Sequence, residues 1–292
     1  MWYHSGMAGA SVFITGSSGF LGRSLLEKLS APGNRRIVCL PQRPKGDILE
    51  PKSYAESLKG CDTVLHLAAV TGKQAPSEYF RVNRDGTESL LREAERAGVR
   101  RFVFVSSISA KFKNQRHYYY AQSKLQAESL VKNSRLPWII VRPTMIFGKG
   151  SAVLAGLAKL ASLPFIPLFG DGQTRVQPVQ VADLAQILAD ILDDETLNNR
   201  LLEIGGPEAV SMERLMQLIR LSSLNKEGKV VHLPVGPLAE FLSFIEPVLR
   251  PVLPLTAGQL ASFHNNGVAD PDPWVAQRQT GMKTIKEMLA SK

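Results

Sequence analysis

The chain has 292 residues, 44% of them hydrophobic and 21% charged, with 35 basic against 26 acidic side chains for a net charge of +9. That length and composition build a self-sufficient core and exclude disordered, collagen-like and disulfide-scaffold classes. The cations are scattered, without the basic and aromatic clusters of a nucleic-acid binder, so the charge leaves an anionic membrane surface or a phosphate-bearing small molecule as partners.

Residues 1–10 lack the basic segment and long apolar core of a secretory signal and read as a loose end. A strand is predicted at 11–15 and a helix at 20–29, followed by strands at 36–40 and 63–67. A charged amphipathic helix covers 77–97 and stops at Gly98. Strands at 101–106 and 138–142 flank a helix at 117–133. Such alternation indicates βαβ units and a parallel sheet covered on both faces. Beyond Pro143 prolines become frequent, and helical periodicity recurs at 151–162, 181–192, 211–222 and 237–248. Some of these segments are expected to return to the sheet and others to cap it.

The apolar stretch 152–169 is interrupted by Lys159, Pro164 and Pro167, so no transmembrane helix is predicted. A second apolar stretch, 237–256, suits packing in the cap, an apolar ligand pocket or a membrane surface. A cytoplasmic protein, with peripheral membrane contact left open, is the expectation. Cys39 and Cys61 imply no disulfide framework. His4, His66, His117, His232 and His264 lack metal-ligand spacing, and no metal site is expected.

Thr15-Gly16-Ser17-Ser18-Gly19-Phe20-Leu21-Gly22 joins the first strand to the first helix. Gly16 permits a tight turn, Gly19 a close approach of a pyrophosphate, and Gly22 close packing of helix on strand. The helix N-terminus adds free N–H groups for the anion. The second strand ends in Cys39-Leu-Pro-Gln-Arg43-Pro-Lys45, without the carboxylate that would accept from an NAD ribose. Arg43 and Lys45 suit the 2′-phosphate of NADP, with NAD still open, or they are solvated loop charges. Asp47 either accepts from the adenine amino group or caps a turn.

Tyr120 and Lys124 stand four residues apart, on one face of the expected helix. An ammonium beside a phenol favours the phenolate, which makes Tyr120 a candidate general acid or base. Ser107 closes the fourth strand at the sheet's ligand-binding end and reads as either an orienting hydroxyl or a cap. Asn83 reads as a holder of water or of the lysine in a proton relay, or as a polar interruption of its helix.

These residues, taken in order with His66-Leu67-Ala68-Ala69, Val82-Asn83-Arg-Asp-Gly86-Thr87, Arg142-Pro143-Thr144 and 178–183, resemble the extended and atypical short-chain dehydrogenase/reductase superfamily. The resemblance implies an α/β fold: a Rossmann-type doubly wound parallel sheet over 10–150, with a smaller, mainly helical and interleaved substrate cap over 151–292. It implies a catalytic set at Asn83, Ser107, Tyr120 and Lys124. It also implies cofactor contacts at Gly16, Ser18, Gly19, Phe20, Leu21, Gly22, Arg43, Asp47, Ile48, Leu67, Ala68, Ala69, Tyr120, Lys124, Pro143 and Thr144. A homodimer is compatible with it.

Two departures narrow the branch. Gln180 stands where nucleotide-sugar epimerases and dehydratases carry a histidine, and Arg175 falls one residue before the arginine that grips the diphosphate. Segments 168–179 and 264–270 are similar to the NAD(P)H-binding accessory subunit of respiratory complex I and its free-standing bacterial relatives. The expected function is an NAD(P)-dependent oxidoreductase or epimerase/dehydratase acting on a small molecule, a nucleotide sugar or an apolar ligand. The alternative is an NADP(H)-binding assembly module with little turnover, attached to a membrane or a partner complex.

Overall fold

The computed structural model describes residues 11–30, 35–249 and 256–290. The loose end expected at 1–10 lies outside them, as does 250–255 of the second apolar stretch. Six strands form one parallel sheet: β1 (Ser11–Thr15), β2 (Arg36–Cys39), β3 (Thr63–His66), β4 (Arg101–Val105), β5 (Trp138–Pro143) and β6 (Arg200–Ile204). Their spatial order is β6-β5-β4-β3-β1-β2. The crossovers include α1 (Phe20–Leu29), α2 (Gly86–Arg96), α3 (Tyr119–Lys132) and α5 (Val181–Asp193); α4 (Ala152–Ala161) belongs to the cap.

Strand alternation sends successive residues to opposite faces, and both faces are covered. Val12, Ile14, Leu65, Val103, Ile139 and Val141 pack with Leu25 of α1 and Leu184 and Leu188 of α5. Phe13, Val64, Phe102, Phe104 and Ile140 face Leu90 and Leu91 of α2 and Ala127 and Val131 of α3. The chain moves one way from β1 to β2 and the other way from β3 to β6. The carboxyl ends of β1 and β3 therefore flank a topological switch point, where an open parallel sheet binds ligands.

The amphipathic helix expected over 77–97 is broken into three. Pro76–Tyr79 is α-helical, Phe80–Asp85 is a π-turn, and α2 follows. The wider turn surrounds Asn83, whose side chain is committed elsewhere, as described below.

Residues 181–204 return to the sheet through α5 and β6. Val275 and Met282 also pack on the sheet's core, and most of the remaining C-terminal half builds the cap. In it, Leu154 and Leu157 of α4 meet Leu215, Met216 and Ile219 of α6 (Met212–Leu224). A parallel pair, Ile166–Phe169 with Val230–Leu233, leads into α7 (Val235–Leu249) and α8 (Ala257–Ala261). Phe169, Val235, Leu242 and Leu260 form a small separate core there.

Candidate active site

The glycine-rich turn leaves β1 at the switch point. Gly16 has φ of +72°, and a Cβ there would lie 2.6 Å from the Ala68 backbone nitrogen. A Cβ on Gly22 would lie 2.2 Å from the Gly16 carbonyl oxygen. Both glycines are therefore required by close backbone packing. Gly19 differs: a Cβ there would approach only the Gly16 oxygen, at 3.2 Å. Gly19 and Ser18 are exposed, and Gly19 is the N-cap of α1. The first turn of α1 thus offers its N–H groups over an open glycine, a cradle that fits a dinucleotide diphosphate. Arg23 donates to the Ser18 carbonyl at 2.6 Å and brings a cation to the rim. Its place four residues after Gly19 was the available signal for it.

A buried chain of hydrogen bonds ties this turn to the next loop. The Ala68 N–H donates to the Thr15 hydroxyl at 3.2 Å, which lies 2.6 Å from Nδ1 of His66. Nε2 of His66 lies 2.9 Å from the Thr87 hydroxyl, which donates to the Asn83 carbonyl at 2.7 Å. Each hydroxyl has one proton, so the chain assigns the Nε2–H tautomer to His66. Burial, helped by the Lys124 charge, pushes His66 down to about 3. Between about pH 6.5 and 3 the unfolded chain then binds more protons at this position than the folded one, so stability falls as the pH drops through that window. The full loss is roughly 4–5 kcal/mol at 1.36 kcal/mol per pH unit. Thermal melts of His66→Gln should start lower near neutral pH and decline less steeply in acid than those of the native chain.

At the expected adenine end, Arg43 and Asp47 meet each other. Arg43 Nη2 and Nε lie 2.8 and 2.7 Å from the two Asp47 oxygens. Asp47 Oδ1 also accepts from the Leu49 N–H at 3.1 Å. Burial raises the Asp47 carboxyl, but the Arg43 and Leu49 bonds outweigh it and leave it lowered. The Ile48 side chain lies in the core against Gly86, whose added Cβ would come 2.9 Å from it.

Tyr120 and Lys124 project from α3, one turn apart. Ser107 ends the run that follows β4, close to Tyr120. Ser107 also caps a short 3₁₀ turn, accepting from the Ser109 N–H at 3.2 Å. The cap reading of Ser107 is therefore realised. Burial pushes the Tyr120 phenol up to about 12, and the Ser107 hydroxyl pulls it partly back. Tyr79 and Tyr118 enclose the ring, with centroids 6.2 and 6.1 Å away. Lys124 is buried; Nζ donates to the Val105 carbonyl at 2.7 Å and lies 4.2 Å from the centre of the Phe104 ring. Burial lowers its ammonium to about 7, against a raising influence from Glu128.

Asn83 interrupts its helix, as the second of its two readings expects. Its Oδ1 accepts from the Val70 N–H at 2.8 Å, and its Nδ2 donates to the Val70 carbonyl at 3.1 Å and to Ser123 at 3.0 Å. The amide acts as a staple between the π-turn, α3 and the loop after β3, and holds no contact with Lys124. Thr144 is likewise committed: its hydroxyl donates to the Gln177 carbonyl and its N–H to the Ile204 carbonyl. Pro143 ends β5 beside it.

Beneath the tyrosine lies a charge array absent from the sequence-level site. Glu128 accepts from Ser106 at 2.6 Å and from Arg142 Nε and Nη2 at 2.8 and 2.6 Å. Arg142 also reaches Glu203 at 3.4 Å, and Glu203 pairs with Lys111. The charges alternate from Lys124 through Glu128, Arg142 and Glu203 to Lys111, with one positive charge in excess. The signals were a glutamate four residues beyond Lys124 and an arginine just before Pro143.

In the cap, segments 168–179 and 264–270 lie side by side: the Arg175 N–H donates to Asn266 at 2.8 Å and the Gly267 N–H to the Arg175 carbonyl at 2.8 Å. A hollow of about 380 Å³ opens between Gly170–Thr174 and Phe263–Asn266. The Arg175 guanidinium donates to the Ala209 carbonyl at 2.8 Å, and Gln180 is buried with its Oε1 unpartnered. Among the described residues no helix is long and apolar enough to cross a membrane, and no cluster of metal-ligating side chains is found.

Residues 12–205 match the model of the NAD dependent epimerase/dehydratase family. The chain belongs to this family. Relatives of the chain include a ceramide reductase of Caulobacter vibrioides, 32% identical over 188 residues, covering 60% of this chain and 58% of the relative. The UDP-glucose 4-epimerase of Vibrio cholerae is 27% identical over 248 residues, covering 73% and 75%. The mitochondrial NADH dehydrogenase [ubiquinone] 1 alpha subcomplex subunit 9 of Arabidopsis thaliana is 27% identical over 237 residues, covering 74% and 58%. The chain thus spans little more than half of the first and third relatives. Among solved structures, gox2253 aligns with a TM-score of 0.77 at 21% identity, covering 97% of this chain and 96% of that one. A UDP-glucuronic acid 4-epimerase from Bacillus cereus, in complex with NAD and a fluorinated UDP-glucuronic acid, aligns at 0.65 and 20% identity, covering 77% and 86%. These structures share the Rossmann-type fold.

Proposed function

We propose that the protein is an NAD(P)-dependent oxidoreductase or epimerase/dehydratase with Tyr120 as its acid–base group. The observation that carries this reading is the placement of Tyr120, one helical turn before the buried Lys124 and between Tyr79 and Tyr118, at the carboxyl end of the sheet that also holds the open Gly19 turn. A nicotinamide cofactor would supply the hydride chemistry, with its diphosphate over Gly19 and the first turn of α1.

The chain's own groups do the rest. Ser107 orients a substrate carbonyl or hydroxyl oxygen. Tyr120 exchanges a proton with that oxygen. With its phenol near 12, Tyr120 is protonated at neutral pH and stands ready as the acid of a carbonyl reduction. Lys124, near 7, gains charge when an anion or polar hydroxyls approach it, and a charged Lys124 in turn favours the phenolate. The reverse, oxidative direction therefore gains rate as the pH rises.

For the cofactor, the absence of a carboxylate after β2 and the presence of Arg43 support NADP. Arg43 would exchange Asp47 for a 2′-phosphate. Arg43→Ala should weaken NADPH binding by about 10–100-fold, the worth of one charged hydrogen bond, and leave NADH binding within a few-fold. Fluorescence titration with both dinucleotides reads this directly; equal losses for both would point to NAD.

For the substrate, Arg175 is already bonded to Ala209, and this weighs against a gripped sugar-nucleotide diphosphate. The ceramide reductase relative supports an apolar alcohol or ketone. The likeness to the NADH dehydrogenase subunit supports a second reading, in which the cofactor is held as a structural ligand of an assembly.

A further inference from the structure

α7 is two-sided. Leu238, Ala239, Leu242 and Ile245 pack inward on the small cap core. Phe241 and Phe244, three residues apart on the outward side, are 59% and 85% exposed. They are the two most exposed large apolar side chains among the described residues. Both acidic groups of the helix are engaged: Glu240 pairs with Arg116 at 3.0 Å, and Glu246 accepts from the Ala257 N–H at 3.0 Å.

The Arg116 pair places the loop 111–117 alongside α7. That loop reads Lys-Phe-Lys-Asn-Gln-Arg-His and exposes Lys113 and Arg116. An aromatic wedge beside a cationic shoulder, on a chain of net charge +9, is complementary to a negatively charged lipid surface.

We propose that α7 and the loop 111–117 dock on an anionic lipid bilayer, with Phe241 and Phe244 entering at headgroup depth and Lys113 meeting lipid phosphates. The same loop joins Ser107 to Tyr120. α8 closes over it, since a Cβ on Gly258 would lie 2.6 Å from the His117 carbonyl oxygen. The bilayer would then border the segment that carries the candidate acid–base group.

The test is co-sedimentation of the full chain with vesicles of phosphatidylcholine, with and without phosphatidylglycerol. The native chain should bind the phosphatidylglycerol vesicles, more weakly at high salt, and should bind pure phosphatidylcholine poorly. The double variant Phe241→Ser, Phe244→Ser should bind at least about tenfold more weakly. Lys113→Glu should lose about fivefold or more. Both substitutions fall on exposed positions, so melting temperature and dinucleotide binding should match the native chain. Native protein that ignores vesicles, or variants that bind them equally, would overturn the proposal. So would a native dimer that the double phenylalanine variant dissolves, since a second copy would then cover this face. Dinucleotide binding that survives in a vesicle-indifferent chain would leave the proposed function standing.

Discussion

Tyr120→Phe is expected to cut turnover by about 10²–10⁴-fold, the usual worth of a positioned acid–base group. The phenol oxygen is the only atom removed, and the ring keeps its contacts with Tyr79 and Tyr118. Dinucleotide affinity should therefore change little, and the loss should appear in kcat rather than in binding. The Ser107 hydroxyl would lose one neighbour but keep its bonds to Ser109. Stability should rise slightly or stay level, because a half-buried polar atom disappears. The assays are NADPH absorbance for reduction of ketones and aldehydes, and product analysis for nucleotide sugars, whose epimerisation or dehydration consumes no net NADPH, with both proteins at equal concentration. A native chain inert on all of them, with unchanged dinucleotide binding in the variant, would favour the assembly reading.

The second large effect concerns stability. Glu128→Ala should destabilise the fold by about 3–5 kcal/mol, because it leaves the Arg142 guanidinium largely buried without its bidentate partner. Arg142 keeps only the 3.4 Å contact to Glu203, and Ser106 loses its acceptor. The same change removes the one influence that raises Lys124 toward its ordinary value, so Lys124 should lose its proton at a lower pH than in the native chain. Denaturant unfolding reads the first effect. The pH at which reduction declines reads the second, a readout that mere loss of packing would not move. Glu128→Gln, which keeps the volume and an acceptor oxygen, should fall between the two.

The parts of the site that depend on backbone geometry were legible in the residues alone. The positive φ of Gly16 and the packing of Gly22 on Gly16 and Ser17 are local, so their spacing alone points to them, whereas the approach of Ala68 to Gly16 needs the fold. Spacing likewise puts Tyr120 and Lys124 on one helix face. What stayed hidden needed tertiary partners. Both readings of Asn83 stay open until the loop after β3 is seen to bring the Val70 backbone against its amide. Glu128 lies 14 residues from Arg142, and Arg142 lies 61 from Glu203; only the β5–β6 pairing and the packing of α3 bring the three together. Arg43 and Asp47 were readable as a pair by their four-residue separation, yet each was assigned to a different part of the cofactor. The π-turn at Phe80–Asp85 has no periodic signature, because the pattern on either side of it still reads as one helix.

In the proposed function a dinucleotide diphosphate rests on the Gly19 turn. Gly19 adopts φ of −70°, open to any residue, and its neighbourhood accepts a Cβ with only a small shift. Gly19→Asp should therefore keep the fold, while it sets a carboxylate where the diphosphate belongs. Calorimetric titration with NADPH and with NADH should show one equivalent binding to the native chain and an affinity at least about 100-fold lower in a Gly19→Asp protein of unchanged melting temperature. Equal affinity in the two proteins would contradict the account.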